Sequence, residues 1–151
     1  MDAIDYKILK ILQKNARETA SNISKEIHIS VSAVIERIRK MEETGVIKEY
    51  TIIVDEKKTG NEMTALMEVS LEHPKFFDSF ADAIQKLEYI VSCYYQTGDF
   101  DLIIRISCHS SDELEEIHRQ VMSLPGVDAT RTHVVLKNVK NIYSAIRRPD
   151  K

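Results

Sequence analysis

Hydrophobic positions in the first part of the chain repeat at helical spacing. In residues 2–14, "DAIDYKILKILQK", Ile4, Ile8, Ile11 and Leu12 fall on one face, while Lys7, Lys10 and Lys14 fall off it. Asp2 and Asp5 stand where a helix start favours acids, as caps and against the positive end of the helix dipole. Thr19 caps a short second helix with Ala20, Ile23 and Ile27 inward, stopping near residues 28–30. A third helix follows at once, capped by Ser30 or Ser32 and stopped by Gly45 after Thr44. Its apolar set, Val31, Val34, Ile35, Ile38 and Met41, is expected to pack inward. The opposite side carries Ser32, Ala33, Glu36, Arg37, Arg39, Lys40 and Glu43.

The period then shifts from 3.6 towards 2. Residues 46–55, "VIKEYTIIVD", read as a strand rich in β-branched residues, and the polar "EKKTGNE" of 56–62 reads as a link. "TALMEVSLEH" (64–73) alternates as a strand. Pro74 opens a helix with Phe77, Phe80, Ala81, Ile84 and Leu87 inward. "YIVSCYYQ" and "FDLIIRIS" are strands joined by "TGD" at 97–99. A helix over 110–124 has Ser110 and Glu113 at capping-box spacing, and "ATRTHVVLK" (129–137) is a last strand.

This order predicts an α+β fold: an N-terminal, winged helix-turn-helix-like domain and a C-terminal β-α-β-β-α-β domain of the ferredoxin-like type. The expected boundaries are 1–50 for the helices, 51–63 for strand and linker, and 64–151 for the sheet domain. Helices cover one face of such a sheet. The alternation puts Ile103 on the other face, and sets Ile90 and Tyr94 against Val91, Cys93 and Tyr95. An apolar second face marks an interface, so a homodimer through the sheets is expected.

Composition narrows the function. The apolar share of 43% suffices for packed cores and the 30% charged share suits a soluble chain. No apolar run approaches a membrane span or a signal-peptide core, which makes the cytoplasm the expected location. Cys93 and Cys108 sit inside apolar runs without ligand spacing and are expected to be small buried hydrophobes. The five histidines form no metal motif, and neither a metal nor a cofactor is expected. Net charge is +1 over residues 1–60 and −4 over the remainder, so contact with nucleic acid must come from a local patch.

The third helix offers that patch. A tight turn between two short helices, the second with a basic outer face, describes a helix-turn-helix. Ser32, Ala33, Glu36 and Arg37, with the cap Ser30, occupy the turns that reach base edges. Arg39 and Lys40 suit phosphates one turn later, and Lys57 or Lys58 could add a backbone contact. The second distinctive stretch is "TGDFD", residues 97–101. Asp99 and Asp101 lack the further acids of a calcium loop and the nucleophile or histidine of a catalytic pair. A tight hairpin explains Gly98 and Asp99, and explains Asp101 less well.

Several ordered motifs carry a resemblance. They are D-x-x-D-x-x-I-L from Asp2, N-x-R at Asn15, S-x-S-x-V-x-x-R-I from Ser30, E-x-x-G-V-I from Glu42, G-D-x-D at 98–101 and L-P-G-V at 124–127. Over residues 2–142 the chain resembles the leucine-responsive/asparagine regulator (Lrp/AsnC, feast/famine) family. The resemblance implies a sequence-specific regulator of transcription that binds double-stranded DNA. It implies homodimers paired through the sheets, further assembly into tetramers of dimers, and an amino acid effector. It carries the effector site onto Thr97, Gly98, Asp99 and Asp101, with Arg131 and Thr132 on the last strand as further candidates. His28 departs from the family, which often has glycine in the turn; histidine tolerates positive φ better than most side chains. Two alternatives remain: an enzyme resembling the sirohaem decarboxylases, working through His109, His118 and His133, and an architectural DNA protein without an effector.

Overall fold

The computed structural model describes residues 1–147. The chain divides into two compact units, Met1–Ile53 with the chain from Lys140 onward, and Val54–Val139. Residues 140–147 thus group with the first unit, where Gln13 donates its side-chain amide to the carbonyl of Ser144.

In the first unit, α1 (Ala3–Lys14), α2 (Ala20–Ile27) and α3 (Val31–Glu43) enclose a core of Ile8, Leu12, Ile23, Val34 and Met41. Each helix starts on a side-chain cap. Asp2 accepts from the N–H groups of Ile4 and Asp5 at 2.8 and 3.0 Å, and Asp5 accepts from the Asp2 N–H at 2.7 Å. Thr19 and Ser30 cap α2 and α3 through the N–H groups of Asn22 and Ala33. Between α2 and α3 the chain turns on His28, at φ 59° and ψ 46°, in the left-handed region where a side chain adds strain. The His28 N–H closes α2 on the carbonyl of Ser24, and Ser24 Oγ donates to the carbonyl of Ile29 at 2.6 Å.

Two expectations fail here. Val31 and Ile35 do not pack inward: they are 42% and 54% exposed. Val34, Ile38 and Met41 set the core direction of α3, and at about 100° per residue Ile35 is rotated well away from it. Residues 46–55 form no strand, and Ile52 is 79% exposed. β-Branched residues favour extended backbone, but a ladder needs a second edge, and none is offered among the described residues. Instead Tyr50 donates its hydroxyl to Glu42 at 2.8 Å; burial and that carboxylate push the phenol up to about 12.

The second unit begins with a 3-10 turn, Glu56–Thr59, and continues β1 (Met63–Leu71), α4 (Phe77–Ile84), β2 (Ile90–Tyr95), β3 (Leu102–Cys108), α5 (Ser111–Met122) and β4 (Val127–Val134). The strands lie in the order β2-β3-β1-β4, all antiparallel. Phe80 and Ile84 of α4 and Ile117 and Val121 of α5 close over Ala65, Met67, Val69, Leu102, Ile104 and Ile106. Ser110 caps α5 through the Glu113 N–H, while Glu113 reaches back to the N–H of His109.

On the open face of the sheet, Leu66 lies opposite Arg105 and His133, and Glu68 opposite Ile103 and Arg131. That face is more polar than expected. Glu56 lies against it, accepting from Arg105, from Ser107 Oγ at 3.1 Å and from Thr64 Oγ1 at 3.3 Å. The register of β2 shifts between Ile90 and Ser92. This irregularity puts Ile90 opposite core residue Ile106 and Tyr94 opposite Ile103, so the two tyrosine-strand residues expected on one face lie on different ones. Cys108 is buried as expected; Cys93, on the edge strand, is exposed.

Candidate functional site

The second and third helices present the first candidate site. Ser32, Ile35, Glu36 and Arg39 fall at i, i+3, i+4 and i+7 along α3, on the side turned from Val34, Ile38 and Met41. Ser30 and Ser32 hydroxyls lie 3.1 Å apart at the helix start, and the N–H of Ala33 is taken by the Ser30 cap. Arg39 bonds Glu36 at 2.9 and 3.1 Å and Glu43 at 3.2 Å. Glu36 is held below its ordinary pKa by Arg39, and Arg39 above its own by Glu36 first and Glu43 next. These pairs are exposed, so they exchange readily for other partners. Lys40 has no ion-pair partner among the described residues.

Arg37 is placed differently from the base-reading position expected of it. Its guanidinium turns to the start of α1 and bonds Asp5 at 2.7 Å and Asp2 at 2.8 Å. The Asp5 hydrogen bond, then that of Asp2, raises the arginine pKa further. The N–H of Asp5, then Arg37, lowers the Asp2 carboxyl. Arg37 therefore ties α3 to the capping box of α1, a role invisible in the helical pattern because its partners are over thirty positions away.

The second candidate site is the hairpin between β2 and β3. Gly98 has φ 133°, a left-handed value that favours glycine, with open space around it. The Gln96 N–H donates to the Asp101 carbonyl at 2.8 Å and closes the hairpin. Between these residues the N–H groups of Thr97, Gly98, Asp99 and Phe100 meet no acceptor among the described residues. Asp101, the residue a hairpin alone explains poorly, has a partner across the sheet: Leu71 donates its N–H to Asp101 Oδ2 at 2.8 Å. The Asp101 N–H in turn donates to the Val69 carbonyl at 3.0 Å. Leu71 lies beyond Val69 and Leu102, the last pair of the β1–β3 ladder, so the carboxylate takes an N–H that the end of the ladder leaves over.

Arg131 and Thr132 separate. Arg131 lies over the Phe100 ring at 4.7 Å and 3.7 Å from Glu68, which brings it to the loop on the open face. Thr132 pairs with the buried Met67 and turns towards the helices, where its hydroxyl is buried without a partner. The histidines do not converge either. His118 bonds Thr130 under α5, His133 lies beside Glu68 on the opposite face, and His109 contacts the Gly60 carbonyl. Among the described residues no cluster of acids, histidines and cysteines could hold a metal ion, and no helix is long and apolar enough to cross a membrane.

Known proteins share this arrangement from end to end. A winged helix-turn-helix DNA-binding profile matches residues 1–48, and the Lrp/AsnC ligand binding domain matches residues 64–144. The HTH-type transcriptional regulator FL11 of Pyrococcus horikoshii is 39% identical over 140 residues, spanning 93% of this chain and 92% of its own. The leucine-responsive regulatory protein of Escherichia coli is 33% identical over 143 residues, spanning 93% and 87%. The solved structure of E. coli AsnC is 26% identical, with a TM-score of 0.87 over 95% of this chain and 97% of that one. With a helix-turn-helix match followed in sequence by a four-stranded sheet that matches the ligand binding domain, the chain belongs to the Lrp/AsnC family of transcriptional regulators.

Proposed function

We propose that this regulator reads double-stranded DNA through Ser30, Ser32, Ala33, Glu36, Arg39 and Lys40, and that an amino acid held by the 97–101 hairpin tunes it. Arg37 serves that reading by positioning α3 against α1 rather than by touching bases. Lys40 supplies the phosphate contact, and the exposed Arg39 pairs can re-form on phosphate.

The exposed glycine turn from Thr97 to Phe100, whose N–H groups make no bond among the described residues, carries the effector reading. Exposed N–H groups at a glycine turn can receive a carboxylate, and the Arg131 guanidinium over the Phe100 ring adds positive charge nearby. Asp99, exposed at the tip, is left to receive the ammonium group; Asp101 fixes the exit of the loop. Leu66, Ile103 and Tyr94 on the open sheet face, and the exposed Ile52–Val54 run, suit burial between two copies. Homodimers and higher assemblies are part of this proposal.

A thermal-shift screen of the full chain against the twenty amino acids tests it. An effector at one hundred times its Kd stabilises by about 2.7 kcal/mol. Asp99→Ala is expected to abolish the shift while leaving the melting temperature of the free protein unchanged. If no amino acid raises the melting temperature or alters operator binding, the effector reading falls and the architectural one stands. Lys40→Ala is expected to weaken binding to every duplex and lower the salt slope by about one.

A further inference from the structure

The reading helix carries an apolar side chain that its core does not use. Ile35 is 54% exposed at the edge of the stripe formed by Ser32, Glu36 and Arg39. Val31, one turn before it, is 42% exposed, and the other helical neighbours of Ile35 on this stripe are polar or charged. A docking surface for another protein is a contiguous apolar patch. Ile35, with Val31 as its one apolar neighbour and a hydroxyl, a carboxylate and a guanidinium alongside, is a different pattern. It matches the major-groove edge of an A·T pair, where the thymine C5-methyl group sits beside the O4 acceptor and the adenine N6 and N7 groups. The surface lies on α3, within the winged helix-turn-helix DNA-binding match over residues 1–48.

We propose that Ile35 is a specificity-determining residue that rests on the C5-methyl group of one thymine in each half-site. Glu36 stands beside it to accept from a base amino group, while Arg39 keeps its phosphate role. This inference rests on the DNA-reading role above and adds one base to it.

The test selects duplexes from a random-sequence pool with the full chain, then replaces each thymine of the preferred sequence in turn by deoxyuridine. That exchange removes a methyl group and leaves every hydrogen bond in place. The wild-type protein is expected to lose affinity about fourfold, the worth of one methyl group taken from water, at one thymine per half-site and nowhere else. Ile35→Ala, at a solvent-facing position, is expected to keep the melting temperature, to bind the thymine duplex several-fold more weakly, and to be indifferent to uracil at that base. A flat uracil scan with the wild-type protein overturns the inference, and that arm needs no variant. An unchanged uracil penalty in Ile35→Ala also overturns it, since the methyl group is then read by another residue. A pool that yields no preferred sequence removes both this inference and the DNA-reading role; a preferred sequence with a flat scan removes this inference alone.

Discussion

Asp101→Ala and Asp101→Asn together separate scaffold from sensor at the hairpin. The Asp101 carboxylate accepts the Leu71 N–H at 2.8 Å in a partly buried position beside the β1–β4 irregularity. Truncation to alanine strands that N–H away from any ladder partner. A hydrogen bond to a charged acceptor, with the cost of leaving its donor unmade, amounts to roughly 1.5–3 kcal/mol. For a domain of this size the melting temperature would fall by roughly 6–24 °C. Asparagine keeps an acceptor oxygen at the same reach and gives up only the charge, so its loss should stay within about 1 kcal/mol. Urea unfolding of the full chain, followed by far-ultraviolet circular dichroism, measures both variants. An alanine variant as stable as the wild type would refute the bond's contribution. An asparagine variant as weak as alanine would show that charge, and not the acceptor, is what matters there. If Asp101→Asn keeps its stability and still loses the amino acid response, the free carboxylate oxygen touches the ligand as well.

Three further outcomes are expected. Arg37→Ala releases Asp2 and Asp5, so the first unit should melt lower, with affinity for all duplexes falling together and base preference unchanged; a change of preference at one base would return Arg37 to the reading surface. The Asp2 carboxyl is held below its ordinary value of 3.8, so the unfolded chain takes up that proton first. Its contribution is complete above 3.8 and fades as the pH falls through the lower folded value, and Asp2→Asn should flatten the acid side of a melting-temperature profile. Gly126→Ala should destabilise the sheet unit by at least about 2 kcal/mol in the same urea assay, because overpacking and strained backbone add. The residue sits at φ 82°, and its new Cβ would lie 2.1 Å from the Phe76 ring; a neutral result would mean that the ring moves aside freely.

The elements were largely legible in the sequence because their signals are local. Caps at Asp2, Thr19, Ser30 and Ser110 and the glycine stop at Gly45 lie within a few positions of what they terminate. The stop of α2 near residues 28–30 was legible too, although a histidine holds the left-handed position there. What escaped depends on partners distant in the chain. Arg37 is one charged residue among several on α3 until folding brings Asp2 and Asp5 beneath it. Ile35 counts as apolar in any periodic pattern, and only the packing of Val34 and Ile38 shows that it misses the core. The 46–55 segment has strand propensity without a strand to meet, and a one-residue shift in β2 moved Ile90 to the core face. The separation of Arg131 from Thr132 follows from alternation once a register exists, which the sequence did not supply.

Because Asp101 anchors the hairpin through Leu71 and Val69, the tip from Thr97 to Asp99 is an interchangeable part on a fixed mount. Libraries confined to Thr97 and Asp99 could be screened for new small-molecule responses without re-engineering the sheet. Asp101, and Gly98 at its positive φ, would be the positions to hold constant when building such a biosensor.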